Sequence, residues 1–271
     1  AACLGLHCVR GGALKSGTEG DGVSHPADER RASWLIVATL LAGAVLQLYA
    51  LHFSKLPKGV DPAFHCVVGQ RQFDARRATM DLWPLEDLRL NYPIGSHLWL
   101  AVTARWTGLE IHEVFRHSFT LAMWGAALCI AAWGERLFGS PKSGAAAAFV
   151  FMFGSYQASF FPYTWGGLPS SLAMWQGLAA LYCVLHLRGI EGVFSGMLLF
   201  AGTAMTHHHT MVALLGGVGL LASCGVLLSS THRELSGRVL ISLVGSAFFA
   251  AVYVVPLVTR VTQLGQTGTL A

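Results

Sequence analysis

The fold class the sequence predicts is an all-α polytopic membrane protein, with about seven transmembrane helices plus interfacial helices in a long first outer loop. Three observations predict it. Hydrophobic residues make up 54% of the 271 and charged residues 12%, about half the charged share of an ordinary soluble domain, so too little polar surface is available to cover a water-facing globule. Uncharged apolar runs of bilayer length recur along the chain, and roughly 20 residues suffice to cross roughly 30 Å of hydrocarbon. None of these runs alternates polar with apolar residues as a barrel strand must, so the backbone groups inside lipid have to be satisfied within helices.

Residues 1–32 contain glycine, serine and charge without an apolar signal core and read as a disordered cytoplasmic leader. Residues 33–271 form one transmembrane domain, opened by a span over residues 34–53 that holds no Lys, Arg, Asp or Glu. Residues 54–115 are expected to be a single outer loop. Within it, residues 62–77 suit an amphipathic helix in which Phe64, Val67, Val68 and Phe73 dip into the interface while Arg71, Arg76 and Arg77 stay wet. Residues 92–109 are apolar enough to tempt a spanning assignment, yet they contain His97 and Arg105. Burying Arg105 near mid-membrane would cost about 2.5–3.5 kcal/mol, and an additional crossing would reverse every later loop. An interfacial helix at the outer surface removes both conflicts, with Pro93 in its first turn, where a missing N–H costs nothing.

Further spans follow at residues 118–133, 144–161 and 168–187. From Gly192 to Thr231 no charged residue occurs, a length suited to two crossings broken at His207-His208-His209, and residues 239–259 supply the last span. The chain opens at Ala1 and stops at Ala271 soon after an apolar run, which predicts a C-terminally truncated fragment. Arg30 and Arg31, Arg136 and Lys142, Arg188, and Arg233 and Arg238 fall in alternate connections, whereas residues 162–167 and 207–209 carry no Lys or Arg. The positive-inside rule then gives a cytoplasmic N-terminus, and the plasma (inner) membrane is the expected location. The net charge of +4 is spread along the chain, which argues against nucleic acid, and six cysteines without CxxC or zinc-like spacing predict no disulfide framework.

The polar and aromatic residues left over collect on the outer side, and no comparable collection is expected at the cytoplasmic ends. Asp61, in Gly59-Val60-Asp61-Pro62, stands just beyond the first span, where a carboxylate can be partly desolvated without entering lipid. Such a carboxylate can act as a general base or hold a metal; the alternative is a helix N-cap followed by proline. His207, His208 and His209 fan out by about 100° each on a helix, so at most two converge. With Asp61, His207 and His208 could hold a divalent metal ion or meet a phosphate, or the three could form a polar turn. Tyr163-Thr164-Trp165-Gly166-Gly167 offers aromatic rings for stacking on a sugar or ordinary interfacial anchors. Arg71, Arg76, Arg77, Arg89 and Arg105 could grip a phosphate or touch lipid headgroups.

Several pieces carry a family resemblance: Asp61-Pro62-Ala63-Phe64-His65 after the first span, and Tyr92-Pro93-Ile94-Gly95-Ser96-His97, similar to the Tyr/His-Pro-Pro type of juxtamembrane helix start. Glu135-Arg136-Leu137-Phe138-Gly139 and Trp165-Gly166-Gly167-Leu168-Pro169 extend it. In their order and spacing, over residues 34–259, these resemble the GT-C membrane glycosyltransferases, which use polyprenyl-phosphate sugars. The resemblance implies an enzyme that moves a sugar from such a donor to an acceptor hydroxyl at the outer membrane face, inverting the anomeric centre. It gives Asp61 the role of base or metal contact, and gives Arg77 and Arg105 the leaving phosphate. Tyr92, Tyr163, Trp165, His65, His97 and His208 would line the sugar pocket. A second acidic residue, absent from residues 162–167, would fall to Asp74, Asp81, Glu86 or Asp87. The alternative readings are a polytopic transporter and a non-enzymatic membrane subunit with a histidine-rich outer site.

Overall fold

The structure is a computed structural model and describes residues 26–52, 60–79, 93–154, 167–187, 189–228 and 233–266. Every regular element among them is helical. In chain order they are α1 (Pro26–His52), α2 (Val60–Ala75), α3 (Gly95–Thr107), α4 (Ile111–Phe138), α5 (Pro141–Phe149, continued by a π-helical turn over Val150–Gly154), α6 (Leu168–His186), α7 (Gly189–Thr206), α8 (His208–Ala213, continued by a π-helical turn over Leu214–Val218), α9 (Gly219–Leu228) and α10 (Arg233–Gln266).

Among the described residues six stretches, in α1, α4, α6, α7, α8–α9 and α10, are long and apolar enough to cross a membrane. They suggest an integral membrane protein. Of the span anticipated at residues 144–161, only the part up to Gly154 lies within the described residues. The side-chain distribution fits lipid: Phe248 is 79% and Leu221 73% exposed, while Ser242 and Thr203 are buried. In water that arrangement would leave large apolar areas hydrated.

Close approaches fix the directions of the helices. Gly134 of α4 meets Gly144 and Ala147 of α5, so these two run antiparallel. Thr203 of α7 reaches the Ala173 carbonyl of α6, and Gly192 meets the Leu187 and Cys183 carbonyls, a second antiparallel pair. The Ser242 hydroxyl of α10 donates to the Val193 carbonyl of α7 at 3.2 Å and Gly245 lies against Met197, so α7 and α10 run parallel. Gly225 against Ser236 closes the antiparallel α9–α10 pair.

The two short helices sit together at one end of this bundle. α3 has 13 residues, a length of about 20 Å at 1.5 Å per residue, short of a crossing. It starts at Gly95, so Pro93, anticipated in the first turn, lies ahead of the helix. α2 starts at Val60, which makes Asp61 a first-turn residue, and stops at Ala75 rather than residue 77. Arg76 there takes a left-handed φ of 54°, unfavourable for a side chain with a Cβ. A two-way amide pair holds that turn: Gln72 Nε2 donates to the Thr79 carbonyl at 2.7 Å and the Thr79 N–H donates to Gln72 Oε1 at 2.8 Å. α2 and α3 run side by side in the same direction, with His65 by His97, Gly69 by Leu100 and Phe73 by Arg105.

α4 begins with a capping box in which the Glu110 N–H donates to Glu113 Oε2 at 3.1 Å. Such reciprocal caps satisfy N–H groups that the helix cannot. Its first turns carry Glu113, Arg116 and His117 and pack on α3, with the Trp99 indole donating to the Ser118 hydroxyl at 2.8 Å. A single apolar core of Leu100, Ile111, Phe115, Phe119, Met152 and Leu172 ties α3 to the bundle.

Candidate functional site

His65 on α2 and His97 on α3 meet ring to ring, Nδ1 of His65 lying 2.9 Å from Nε2 of His97. Both side chains are buried, and Phe64 stands edge-on to both rings at 5.5 and 6.3 Å. Burial holds the His97 pKa down to about 3, with repulsion from His65 adding to it and the Pro93 backbone opposing. His97 is therefore neutral throughout the physiological range.

That shift has a consequence for stability. Between the ordinary imidazole value of 6.5 and about 3, the unfolded chain binds a proton at His97 that the folded chain refuses. Stability is thus complete above 6.5 and falls as the pH drops toward 3. Thermal melting of the protein in lipid nanodiscs should show this acid-side loss, and His97→Leu should flatten it; an equally steep acid limb in the variant would contradict the assignment.

A second group of polar residues forms where α7 ends. The Thr206 hydroxyl donates to the Gly202 carbonyl at 2.6 Å and lies 3.2 Å from Gln176 Oε1 of α6. His207 breaks the helix as anticipated and starts the next one. The Thr210 N–H donates to His207 Nδ1 at 3.4 Å, the Thr210 hydroxyl lies 2.9 Å from the same nitrogen, and the Met211 N–H donates to the His207 carbonyl. His207 is thus an N-cap, and its ring lies 5.4 Å from that of His209. Removing a cap costs about 1 kcal/mol. His207→Ala should accordingly lower the melting temperature, and His207→Asn, a good cap, should restore it; equal loss in both would show that the ring matters for another reason.

The two groups share one end of the molecule because α3 starts against the end of α7. A Cβ on Gly95 would fall 2.6 Å from the Met205 carbonyl oxygen and 2.9 Å from Thr206 Oγ1. A cavity of about 250 Å³ remains between them, lined by Trp99, Leu172, Gln176 and Thr206 among others. Leu172 and Gln176 belong to the first turns of α6, so the start of that helix opens at the same place.

The arginines stand apart from this point. Arg105 donates to the Phe73 carbonyl at 2.7 Å and its guanidinium lies 4.9 Å above the Phe73 ring, fastening α3 to α2. It is eight residues beyond His97, about 12 Å along the helix. Arg77 is exposed in the turn after α2. Tyr92, Tyr163 and Trp165 lie outside the described residues, as do the side chains of Asp61 and His208, whose backbones belong to the first turns of α2 and α8. Among the described residues no three His, Cys, Asp or Glu side chains gather as a metal site would require. The ligand set Asp61, His207 and His208 involves side chains beyond them.

Sequence reasoning missed the direct His65–His97 contact, because residues 32 apart on separate helices leave no periodic signal. It also missed a cluster at the opposite end, where nothing comparable was expected. His186, the last residue of α6, lies 4.6 Å from the Tyr182 ring and 5.4 Å from the Trp133 ring of α4, and the Arg238 guanidinium donates to the Leu187 carbonyl beside it. The i, i+4 spacing of Tyr182 and His186 was the available clue.

The fold and site together describe a polytopic helical protein, with two short helices docked over the mouth of an apolar bundle. Set against protein-family models, curated proteins and solved structures, the chain matches none of them.

Proposed function

We propose that this protein is a GT-C-type membrane glycosyltransferase that moves a sugar from a polyprenyl-phosphate donor to an acceptor hydroxyl, at the outer face of the plasma (inner) membrane. The observation that supports the reading is the seat of α3 on the end of α7. It draws the helix pair bearing Asp61, His65 and His97 toward the turn bearing His207, His208 and His209. One small reacting centre can be reached by groups so gathered.

In this reading about seven helices cross the bilayer from a cytoplasmic N-terminus, and α2 and α3 lie at the outer interface. Asp61 takes the proton of the acceptor hydroxyl, the oxygen attacks the anomeric carbon from the face opposite the lipid phosphate, and the phosphate leaves with inversion. Tyr92, Tyr163, Trp165 and His208 line the sugar pocket, the buried His65 and His97 pack behind it, and the exposed Arg77 attracts the phosphate, while Arg105 serves instead to fasten α3 to α2. A divalent metal ion, if the reaction uses one, would fall to Asp61 with His207 and His208.

The test is transfer itself. The protein in nanodiscs is offered a panel of synthetic polyprenyl-phosphate hexoses and pentoses with alcohol acceptors, and lipid phosphate release is followed by mass spectrometry. Enzyme-dependent release with at least one donor is expected. Release no faster than in empty nanodiscs, with every donor, would overturn the proposal.

A further inference from the structure

The cavity where α3 starts against the end of α7 carries one inference beyond the reaction class. It holds about 250 Å³, and its apolar walls come from Leu98 and Val102 of α3 and Leu172 of α6. Its α3 wall begins at Gly95, two residues before His97, so it adjoins the buried histidine pair. Drug-sized ligands occupy roughly 300–1,000 Å³, and this space is suited to a single small ring. None of the residues lining it is charged. The group it takes is therefore neutral, and a phosphate has nothing here to balance it.

Three lining side chains are not plain hydrocarbon. Trp99 is partly exposed, and its indole N–H is spent on the Ser118 hydroxyl of α4 at 2.8 Å. The ring is thereby held in one orientation, and what it offers a ligand is apolar aromatic surface. Thr206 has a single hydroxyl hydrogen, which the Gly202 carbonyl takes at 2.6 Å. The Gln176 amide meets Thr206 Oγ1 at 3.2 Å through one of its ends. Its other end has no partner among the described residues. Gln176 stands eight residues into α6, about 12 Å along the helix, inside a stretch long and apolar enough to cross a membrane. Polar groups at such depth are costly and mark binding sites.

We propose that this cavity is the subsite for the transferred sugar, in which one neutral ring lies against Trp99 and gives or takes a hydrogen bond at the unspent end of the Gln176 amide. The proposal rests on the transfer reading for the identity of that sugar as the donor's. An acyl or prenyl chain is a poorer occupant, because it would leave the amide end without a partner in an apolar setting. A sugar presents what the walls ask for: a face of C–H groups toward the indole and hydroxyls at its edge toward Gln176 and Thr206.

The test labels the protein in nanodiscs with 5-fluorotryptophan, assigns the Trp99 resonance with Trp99→Phe, and titrates two sets of probes. One set is the panel of synthetic polyprenyl-phosphate hexoses and pentoses, and the other is the same lipid phosphate without a sugar. A saturable shift of Trp99 with at least one sugar-bearing lipid, and none with the sugar-free one, is expected. Gln176→Met keeps the length of the side chain and removes the amide, and should weaken that binding about tenfold. Val102→Phe fills the cavity from its partly exposed wall and should abolish the shift; it decides alone where Gln176→Met does not fold. An equal shift with the sugar-free lipid, no shift with any probe, or wild-type affinity in the deciding variant overturns the subsite. Transfer by the wild type with an unmoved Trp99 strikes the subsite only, whereas a sugar-dependent shift without transfer strikes the enzyme reading and leaves a sugar-binding cavity.

Discussion

Replacing Asp61 with asparagine is expected to lower sugar transfer about 10²–10⁴-fold, the range a positioned general base contributes, while leaving expression and melting temperature close to wild type. Asparagine keeps the volume of the side chain and removes only its ability to take a proton. Asp61 lies in the first turn of α2, ahead of the contacts that hold that helix, which run through His65, Gly69 and Phe73, so the substitution leaves them in place. Turnover and thermal melting measured on the same nanodisc preparation separate the two effects. Unchanged turnover would remove Asp61 from the mechanism.

Gly95→Val is expected to have the second large effect, through position alone. The added Cβ would lie 2.6 Å from the Met205 carbonyl oxygen and 2.8 Å from its carbon, and these are backbone atoms of a packed helix that cannot swing aside. The start of α3 must therefore lift from the end of α7. A misplacement of about 1 Å can cost on the order of 10²-fold in rate, and that loss is expected here in turnover, with a lower melting temperature. Gly237→Ala, on α10 where an added Cβ meets nothing, is the matched control and should leave turnover unchanged. Equal activity in Gly95→Val would mean that the α3–α7 seat does not shape the site.

These two positions also show what was legible in the sequence. Long apolar runs announced the membrane-length helices, because burial in lipid depends on composition more than on partner. The break at His207 was legible too, since a polar triplet between two greasy stretches has few other places to go. α2 was anticipated within two residues at each end; its stop depends on the left-handed Arg76 turn, which Gln72 holds from within the helix through Thr79. The seat of Gly95 on Met205 was hidden, because close approach is a property of two elements and sequence spacing reports on one. For the same reason His65 and His97 were each seen as pocket residues and not as a pair. Tyr182 and His186 needed Trp133 from another helix before they formed a cluster.

The account depends most on α2–α3 and the histidine turn sharing one side of the bilayer. Single cysteines at Arg77 and at His209, both exposed, introduced after the native cysteines are replaced, can be labelled with a membrane-impermeant maleimide in sealed, oriented vesicles. Both should react from the same face, and a cysteine at the exposed Lys142, between α4 and the bulk of α5, should react only from the other. Labelling of positions 77 and 209 from opposite faces would contradict the account.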